Sequence, residues 1–339
     1  MPDAERPNHR TGGNTLKLAV VSAAVTAALA ATQAVAPWVY GEKWGNYGKS
    51  NGQFYEVAGV AVAYNGNVYA VDFDLHRIQY FTWDGTFRRK WGREGDGDGE
   101  FYHPERAAVS SNGYVYVADA GNDRIQCFTL TGSFKDKWGQ PGEEEGEFRW
   151  PSGIAVGPAP DRYVYVSEYR NDRVQYFTPT GTFIGKWGTP GSGKGQFDGP
   201  EGVAVARNGT VYVVDKYNHR VQYFTDDGTY IGGWGSEGPG EGEFKDPAGI
   251  SVAPDGYVYV ADKGNNRIQY FTSTGSFIDA RGYPGSHAGE LDRPRDVAVS
   301  PDGYRFYVAD AGNHRIQYWR WTDPAVEPAS LGRVKALFK

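Results

Sequence analysis

The sequence predicts an all-β fold, a six-bladed β-propeller of four-stranded antiparallel blades, from three observations. One phrase, read as "DAGNDRIQCFTLTGSFKDKWG" from Asp119, recurs at steps of 47, 49, 47, 47 and 48 residues. Each copy divides into four short strand-like runs. The last copy is one run short, and the missing run stands near the start of the chain. A period of this length is typical of solenoids, propellers and other arrays.

Each copy is marked by an acidic residue and by an arginine five places later. The acidic residues are Asp72, Asp119, Glu168, Asp215, Asp262 and Asp310, and the arginines are Arg77, Arg124, Arg173, Arg220, Arg267 and Arg315. In the turn Asp-x-x-Asn-x-Arg, we expect the carboxylate to accept backbone N–H bonds, the Asn to adopt the left-handed conformation and the Arg to return to the carboxylate. Leu75 replaces the Asn in the first copy, and Glu168 replaces the Asp in the third.

The four runs of a copy are predicted to be strands. In the fourth copy they read "GVAVARNG", "TVYVVD", "RVQYFTDDG" and "TYIGGWG", which alternate with period two and end at turn residues. Connections such as Asp227-Gly228 predict tight hairpins, so the strands pair antiparallel. Such a sheet has two apolar faces, and packing the copies face to face around an axis buries both of them.

The two ends of the repeat array predict how the ring closes. The sixth copy stops after its third run, "RIQYWRW" from Arg315 to Trp321, and "APWVYGEKWG" from Ala36 to Gly45 resembles the fourth run of the other copies. We therefore expect the N-terminal strand to supply the outer strand of the last blade. The outer strands end in Trp44, Trp91, Trp138, Trp187 and Trp234, but Arg281 takes this position in blade five, where looser packing at the rim is expected.

The repeated pattern is similar to a known family. The motif "P-x-G-V-A-V … G-x-V-Y-V-A-D … N-x-R-I-Q-x-F … G-x-F-x-x-x-W-G" resembles the NHL repeat, over about residues 38 to 321. The resemblance implies a six-bladed propeller. It does not fix an activity, because the family includes RNA binders, protein binders, sensor domains and a lyase.

Residues 1–36 predict a signal peptide or an N-terminal membrane anchor. Three basic residues within positions 1 to 17 precede an uncharged run from Leu18 to Ala36, and Ala34-Val35-Ala36 fits a signal-peptidase site. An uncleaved anchor is the alternative. Either one predicts that the propeller, residues 37–322, lies outside the cytoplasm: secreted, periplasmic or held at the outer face of the membrane. Residues 323–339 are expected to form a short tail.

The charge distribution argues against a nucleic-acid partner. Residues 1–36 hold three basic and two acidic side chains, which leaves 32 basic and 39 acidic side chains in the rest of the chain. The acidic residues concentrate in loops between blades, such as "REGDGDGEF", "QPGEEEGEF" and "SEGPGEGEF". Nucleic-acid binding needs a basic surface that displaces counterions from phosphates. We expect these loops to be solvated and to share one face with the Asp-x-x-Asn-x-Arg turns.

No catalytic residue, metal site or cofactor is predicted. The family's lyase, peptidylglycine alpha-amidating lyase, holds zinc with histidines that follow the Pro of the first strand in three blades. The equivalent positions here are Ala58, Glu105, Ser152, Glu201, Ala248 and Arg295. His76, His219 and His314 occupy one turn position, His103 and His287 stand singly, and Cys127 is expected to be a buried packing residue. A propeller-type lyase or hydrolase that uses Arg and acidic residues remains the alternative.

The ligand site is predicted where the copies differ most, at the mouth of the central channel. Residues just before the first strands of the copies, and aromatic residues in the adjacent turns, are the candidates. They are Glu105, Arg106, Glu201, Arg295, Asp296, Phe73, Tyr169 and Tyr217. The sequence therefore predicts a non-catalytic propeller that binds a protein, peptide or glycan on its loop face. Membrane contact is expected only through an uncleaved N-terminal segment.

Overall fold

The computed structural model describes residues 38–158 and 163–322, and residues 38–321 form one compact unit. The predicted leader at residues 1–36 and the predicted tail at residues 323–339 lie outside the described residues. Within the described ranges, no helix has the length and apolar character that crossing a membrane requires.

Twenty-four strands make up the described unit, beginning with β1 (Trp38–Trp44). Blade one contains β2 (Val57–Val62), β3 (Val68–Asp72), β4 (Arg77–Phe81) and β5 (Phe87–Trp91), and blade two contains β6 (Pro104–Val109), β7 (Tyr114–Asp119), β8 (Arg124–Thr129) and β9 (Phe134–Trp138). Blade three contains β10 (Pro151–Val156), β11 (Val164–Glu168), β12 (Arg173–Phe177) and β13 (Phe183–Trp187), and blade four contains β14 (Pro200–Val205), β15 (Val211–Asp215), β16 (Arg220–Phe224) and β17 (Tyr230–Trp234). Blade five contains β18 (Pro247–Val252), β19 (Val258–Asp262), β20 (Arg267–Phe271) and β21 (Phe277–Arg281), and blade six contains β22 (Pro294–Val299), β23 (Arg305–Asp310) and β24 (Arg315–Trp321).

The ring closes as the sequence predicts. In blades one to five the four strands pair in chain order, whereas the sixth sheet has the order β1-β24-β23-β22. Strand β1 is antiparallel to β24, with Trp38 opposite Trp321 and Trp44 opposite Ile316. The first strands of adjacent blades contact one another around the ring, including β2 with β22. These six first strands therefore line the centre of the propeller.

The core lies between blades, because each blade buries both faces of its central strands. One cluster combines Tyr212 and Val221 of blade four with Ile250, Val258 and Phe271 of blade five. Five more clusters of this kind join the other neighbouring blades of the described unit. Alternate residues of each strand thus pack against the blade on either side, and each blade depends on its neighbours to bury its apolar side chains.

The rim tryptophans join one blade to the next. The Trp91 ring lies 5.8 Å from the Phe128 ring of blade two and 6.2 Å from the Tyr69 ring of its own blade. It also covers the hairpin at Gly132, where a Cβ atom would lie 2.5 Å from the indole and where φ is +83°. Glycine is required there because of both the close approach and the left-handed backbone.

Blade six compensates for Arg281 at the rim of blade five, so the expected loose rim is not found. Blade six places Phe306 and Trp319 where other blades have Val and Phe, and their rings stack with centroids 5.1 Å apart. Trp38, which is 6 % exposed, lies 6.0 Å from Tyr259, the counterpart of the tyrosines that rim tryptophans contact elsewhere. Larger side chains from blade six therefore fill the rim that Arg281 leaves open.

Candidate functional site

The repeated turns anchor the loops of the face on which they lie. In blade two, Arg124 Nε donates to Asp119 Oδ2 at 2.7 Å, and the two other guanidinium nitrogens donate to the carbonyls of Asp96, Gly97 and Glu100. Asp119 also accepts the backbone N–H of Tyr102 at 2.8 Å. The Arg–acid pair recurs in all six blades, with the longer Glu168 serving in blade three. As predicted, the acid–Arg turns and the inter-blade loops share one face.

The Asn of the turn has a different role from the predicted one. Asn122 Nδ2 donates to Asp119 Oδ2 and to the carbonyl oxygen of Gly95, both at 2.9 Å. The left-handed residue is the next one, and this position is filled by His76, Asp123, Asp172, His219, Asn266 and His314. The Asn is therefore a hydrogen-bond bridge between turn and loop. The prediction placed the backbone kink one residue too early.

The side chains of these left-handed residues form hydrogen bonds that connect each blade to the next. Asp123 Oδ1 accepts the backbone N–H of Trp150 at 2.6 Å, and His76 Nδ1 accepts that of His103 at 3.0 Å. Asp172, His219 and Asn266 accept the corresponding N–H groups at 2.8, 3.4 and 2.7 Å. At the closing seam, His314 Nδ1 instead lies 2.5 Å from the Tyr55 carbonyl, so it carries the proton there. The turn histidines are thus parts of inter-blade contacts.

Arg106 spans the centre of the ring. It belongs to blade two, yet its guanidinium lies 3.4 Å from Glu201 of blade four and 3.5 Å from Asp296 of blade six. It also donates to the carbonyls of Ser152 at 2.9 Å and Arg295 at 3.1 Å. Because blades four and six do not adjoin blade two, this side chain bridges the mouth of the channel. It is 4 % exposed.

Arg295 forms the second bridge of the mouth. It starts from blade six and pairs with Glu56 of blade one, and its Nη2 lies 2.6 Å from Glu105 Oε2 of blade two. Its guanidinium also lies 5.3 Å from the centre of the Phe73 ring. Glu105 is held further by Trp150, whose indole N–H donates to Oε1 at 3.4 Å. Buried charges in the mouth are therefore paired across blades, which their desolvation requires.

A cap of aromatic rings and lysine lies over these pairs. Lys216 Nζ donates to Glu201 Oε1 at 2.6 Å and lies 5.3 Å from the ring centres of both Tyr169 and Tyr217. The two tyrosine hydroxyl groups are hydrogen-bonded to each other. Tyr217 is 46 % exposed, whereas Glu201 beneath it is 6 % exposed. The cap presents the exposed Tyr217 ring above a largely buried, ion-paired lysine.

The two carboxylates beside Arg106 have opposite pKa shifts. Burial opposes ionisation of Glu201, but Lys216, Arg106 and Arg295 outweigh it and lower the pKa to about 2. Burial raises the pKa of Asp296 to about 6, and Arg106 offsets it only in part. Glu201 is thus a fixed anion at neutral pH, while Asp296 is close to titration. Neither is open to solvent, so the mouth is a paired charged base beneath the cap.

The family of the repeats follows from their sequence. The family model described as NHL repeat matches residues 101–128, 197–224, 244–271 and 291–318. These four segments are NHL repeats. They lie in blades two, four, five and six, and the two blades without a match are those whose turns contain Leu75 and Glu168. With the six blades of the structure, the matches confirm the predicted NHL-repeat propeller.

Solved structures share the architecture of these NHL repeats at low sequence identity. Hydrazine synthase from Kuenenia stuttgartiensis is 12% identical, with a TM-score of 0.57, over 83% of this chain and 99% of that one. A catalytically inactive variant of virginiamycin B lyase from Staphylococcus aureus, solved with quinupristin, is 18% identical, with a TM-score of 0.56, over 85% and 92%. A Bacteroides thetaiotaomicron protein of unknown function is 17% identical, with a TM-score of 0.60, over 83% and 72%. At these identities the likeness shows the fold alone, and curated protein sequences give no match.

The structure brings the eight predicted site residues of the NHL propeller into one connected cluster. Contacts through Arg106, Arg295 and Lys216 link Glu105, Glu201, Asp296, Phe73, Tyr169 and Tyr217. The sequence reasoning missed Glu56, Lys216 and Lys263. The signal for the two lysines was present, because they occupy the position after the turn acid that also holds Phe73 and Tyr169.

The described histidines and Cys127 make packing contacts and hydrogen bonds within the propeller. His103 was expected to stand singly, but its ring lies 4.9 Å from that of His76 and 4.3 Å from that of Phe73. Among residues 38–158 and 163–322, no three His, Cys, Asp or Glu side chains are grouped so that they could hold a metal ion. Cys127 is 5 % exposed, and burial raises the pKa of its thiol to about 11. The predicted packing role of Cys127 is confirmed.

The acidic loops contain one structural carboxylate each and several exposed ones. Glu147 folds back to accept the N–H of Glu144 at 3.1 Å, and Glu100 and Glu243 make the same contact in their loops. Glu143, Glu144 and Glu145 remain exposed, as the sequence predicts for solvated loops. The rim around the mouth is therefore acidic, whereas the cap at its centre contains lysine.

Proposed function

We propose that this NHL-repeat propeller is a non-catalytic binding module that takes a protein, peptide or glycan ligand on its loop face, centred on the channel mouth. The observation that carries the proposal is the cap formed by Tyr169, Lys216 and Tyr217. It breaks the repeat at the centre of the ring, and its exposed Tyr217 ring rests on buried ion pairs. Amphipathic rings held at low entropic cost are typical binding anchors.

A lyase or hydrolase is the weaker reading of the same mouth. That chemistry needs Arg106 and Arg295 to meet a substrate, yet Arg106 is buried, Arg295 is mostly buried, and carboxylates or carbonyl oxygens engage both guanidinium groups. Alanine variants of these arginines would leave buried carboxylates without partners, so they report on folding as well as on binding. The exposed cap is the better place to test recognition.

The test uses the tyrosine of the cap and a matched tyrosine on the opposite face. Labelled wild-type propeller, Tyr217→Ala and Tyr64→Ala are applied to peptide and glycan arrays, and the affinity of each retained ligand is measured. Tyr64 is 61 % exposed and lies in the β2–β3 hairpin, away from the turns. We expect at least a tenfold loss with Tyr217→Ala and no loss with Tyr64→Ala. Equal affinity for all three proteins, or no retained ligand, would contradict the proposal.

We further propose that the module works outside the cytoplasm. The support is the uncharged run from Leu18 to Ala36 after a basic segment, in a region outside the described residues. The mass of the chain recovered from the envelope or medium tests this directly. A mature N terminus between residues 30 and 37, or an intact membrane-bound chain with an accessible propeller, supports export. An intact chain found only in the cytoplasm contradicts it.

A further inference from the structure

Lys263 is the one lysine or arginine of the mouth that has no partner among the described residues. It directly follows the turn acid of blade five, at the start of the short 3-10 helix Lys263–Asn265. Lys216 has the same position in blade four, and it donates to Glu201 at 2.6 Å. Lys263 shares its electrostatic environment with Glu201, Glu56, Lys216 and Arg295, but its ammonium group makes no hydrogen bond or ion pair with any described residue.

The carboxylates near Lys263 are already engaged by other residues. Glu201 is paired with Lys216 and Arg106, and Glu56 is paired with Arg295. Burial lowers the pKa of Lys263, and Arg295 lowers it further. A half-buried ammonium group loses part of its hydration, and no acceptor in the described chain replaces that part. An anion from outside the chain would replace it.

Blade five has a small side chain at this point of the mouth. The residue that follows the proline of its first strand is Ala248, where blades two, four and six have Glu105, Glu201 and Arg295. Blades two, four and six therefore bring charged side chains to the centre, whereas blade five contributes only the buried methyl group of Ala248. Beside it, Lys216 lies against the rings of Tyr169 and Tyr217.

We propose that Lys263, with Lys216 beside it, binds a carboxylate group of the ligand, and that Tyr217 covers the apolar part that bears this carboxylate. The inference rests on the proposed binding function and names the chemical class that the mouth recognises. A monoanion matches the single unpaired ammonium group. A phosphate dianion would meet Glu56, Glu105 and Glu201 without an available arginine fork, because Arg106 and Arg295 are both engaged.

The experiment measures binding of benzoate, a ring with one carboxylate, by titration calorimetry and by the rise in melting temperature. Wild-type protein is compared with Lys263→Met, Lys263→Arg and Lys245→Met, and the neutral isostere benzamide is the second probe. Lys245 is an exposed lysine in the adjacent loop, so its variant removes one charge from the same face. A ligand of this size is expected to bind in the millimolar range.

We expect benzoate to bind at least tenfold more weakly to Lys263→Met, with little change in Lys245→Met and retention in Lys263→Arg. Equal benzoate binding by Lys263→Met and wild type overturns the inference, as does tight binding of benzamide. Inorganic phosphate that binds as well as benzoate overturns the carboxylate assignment. If the arrays identify a ligand that depends on Tyr217 but not on Lys263, the inference fails while the proposed function stands.

Discussion

The six turns and the channel mouth both bury paired charges, but they pair them over very different distances in the chain. Each turn joins an acid to an arginine five residues later, as Asp119 and Arg124 do. In the mouth, Arg106 meets Glu201 across 95 residues, and Arg295 meets Glu56 across 239. The turn pairs form within one blade, whereas the mouth pairs require the ring to be closed.

This difference separates the scaffold from the proposed recognition surface. The turn pairs recur six times, and in each blade the arginine of the pair also holds the neighbouring loop by donating to its backbone carbonyls. Each mouth pair occurs once and depends on residues that differ between blades. A surface that must recognise one ligand needs this asymmetry, because six identical blades would present six identical environments around the axis.

Arginine removal tests the comparison most strongly. Arg124→Met leaves Asp119 buried without its cation and releases the loop carbonyls, and Arg106→Met leaves Asp296 buried without one. Each change is expected to lower the free energy of unfolding by about 3–5 kcal/mol. Hydrogen exchange separates the two, since Arg124→Met should expose amides of residues 93–101, whereas Arg106→Met should expose amides in the first strands of several blades.

The control for both variants is Arg207→Ala, an exposed arginine whose removal is expected to change stability by less than about 0.5 kcal/mol. If Arg106→Met were within about 1 kcal/mol of wild type, the mouth pairs would not be buried as the structure shows. If it affected amides of blade two alone, the mouth would not couple distant blades.

The repetition of the sequence explains how much of the fold and of the candidate site could be predicted. Six copies of one pattern predict the blades, the acid–Arg pairs and the closure by β1, and the departures from the pattern predict Arg106 and Arg295 as mouth residues. The left-handed turn position was misplaced because Asn tolerates that conformation, although the next position holds only His, Asp and Asn. That restriction to His, Asp and Asn indicates the left-handed position.

The contacts of the mouth could not be predicted in the same way. Glu56 does not stand out from its sequence neighbours, and its pairing with Arg295 forms only when the first and last blades meet at the closed ring. The filling of the blade-five rim has the same cause. Phe306 and Trp319 compensate for Arg281 from the next blade, and no local pattern links the three positions.

The pH dependence of stability provides a test of smaller expected size. The pKa of Glu201 is lowered to about 2, so its contribution to stability is present above pH 4.5 and is lost as the pH falls toward 2. The pKa of Asp296 is raised to about 6, so the folded protein gains stability from its protonation as the pH falls from 6 to about 4. Each contribution is at most about 3 kcal/mol.

Urea unfolding of wild type, Glu201→Gln and Asp296→Asn from pH 7 to pH 3 measures both contributions. The decrease in the free energy of unfolding that Glu201→Gln causes should become smaller below pH 4.5. The stability of Asp296→Asn relative to wild type should fall as the pH decreases from 7 to 4. Parallel pH profiles for all three proteins would contradict the opposite shifts of these neighbouring carboxylates.

The smallest expected effect sharpens the comparison within the turns themselves, because blade one lacks the Asn bridge. In the other blades this Asn joins the turn acid to a loop carbonyl, as Asn122 joins Asp119 to Gly95. Leu75 makes no such bond, and it lines an open cavity of about 460 Å³ together with Lys90 of β5, Tyr55 and other loop residues. Burial raises the pKa of Asp72 to about 6.

Leu75→Asn should therefore supply the missing donor, bridging Asp72 to the loop that ends at Tyr55. We expect the free energy of unfolding to rise by about 1 kcal/mol and the pKa of Asp72 to fall, because the added hydrogen bond favours the carboxylate. Leu75→Ala is the control, since it removes the leucine without adding a donor. A gain in both variants would assign the effect to loss of the leucine, and a loss in Leu75→Asn alone would show that the apolar contacts of Leu75 outweigh the bridge that the other five blades use.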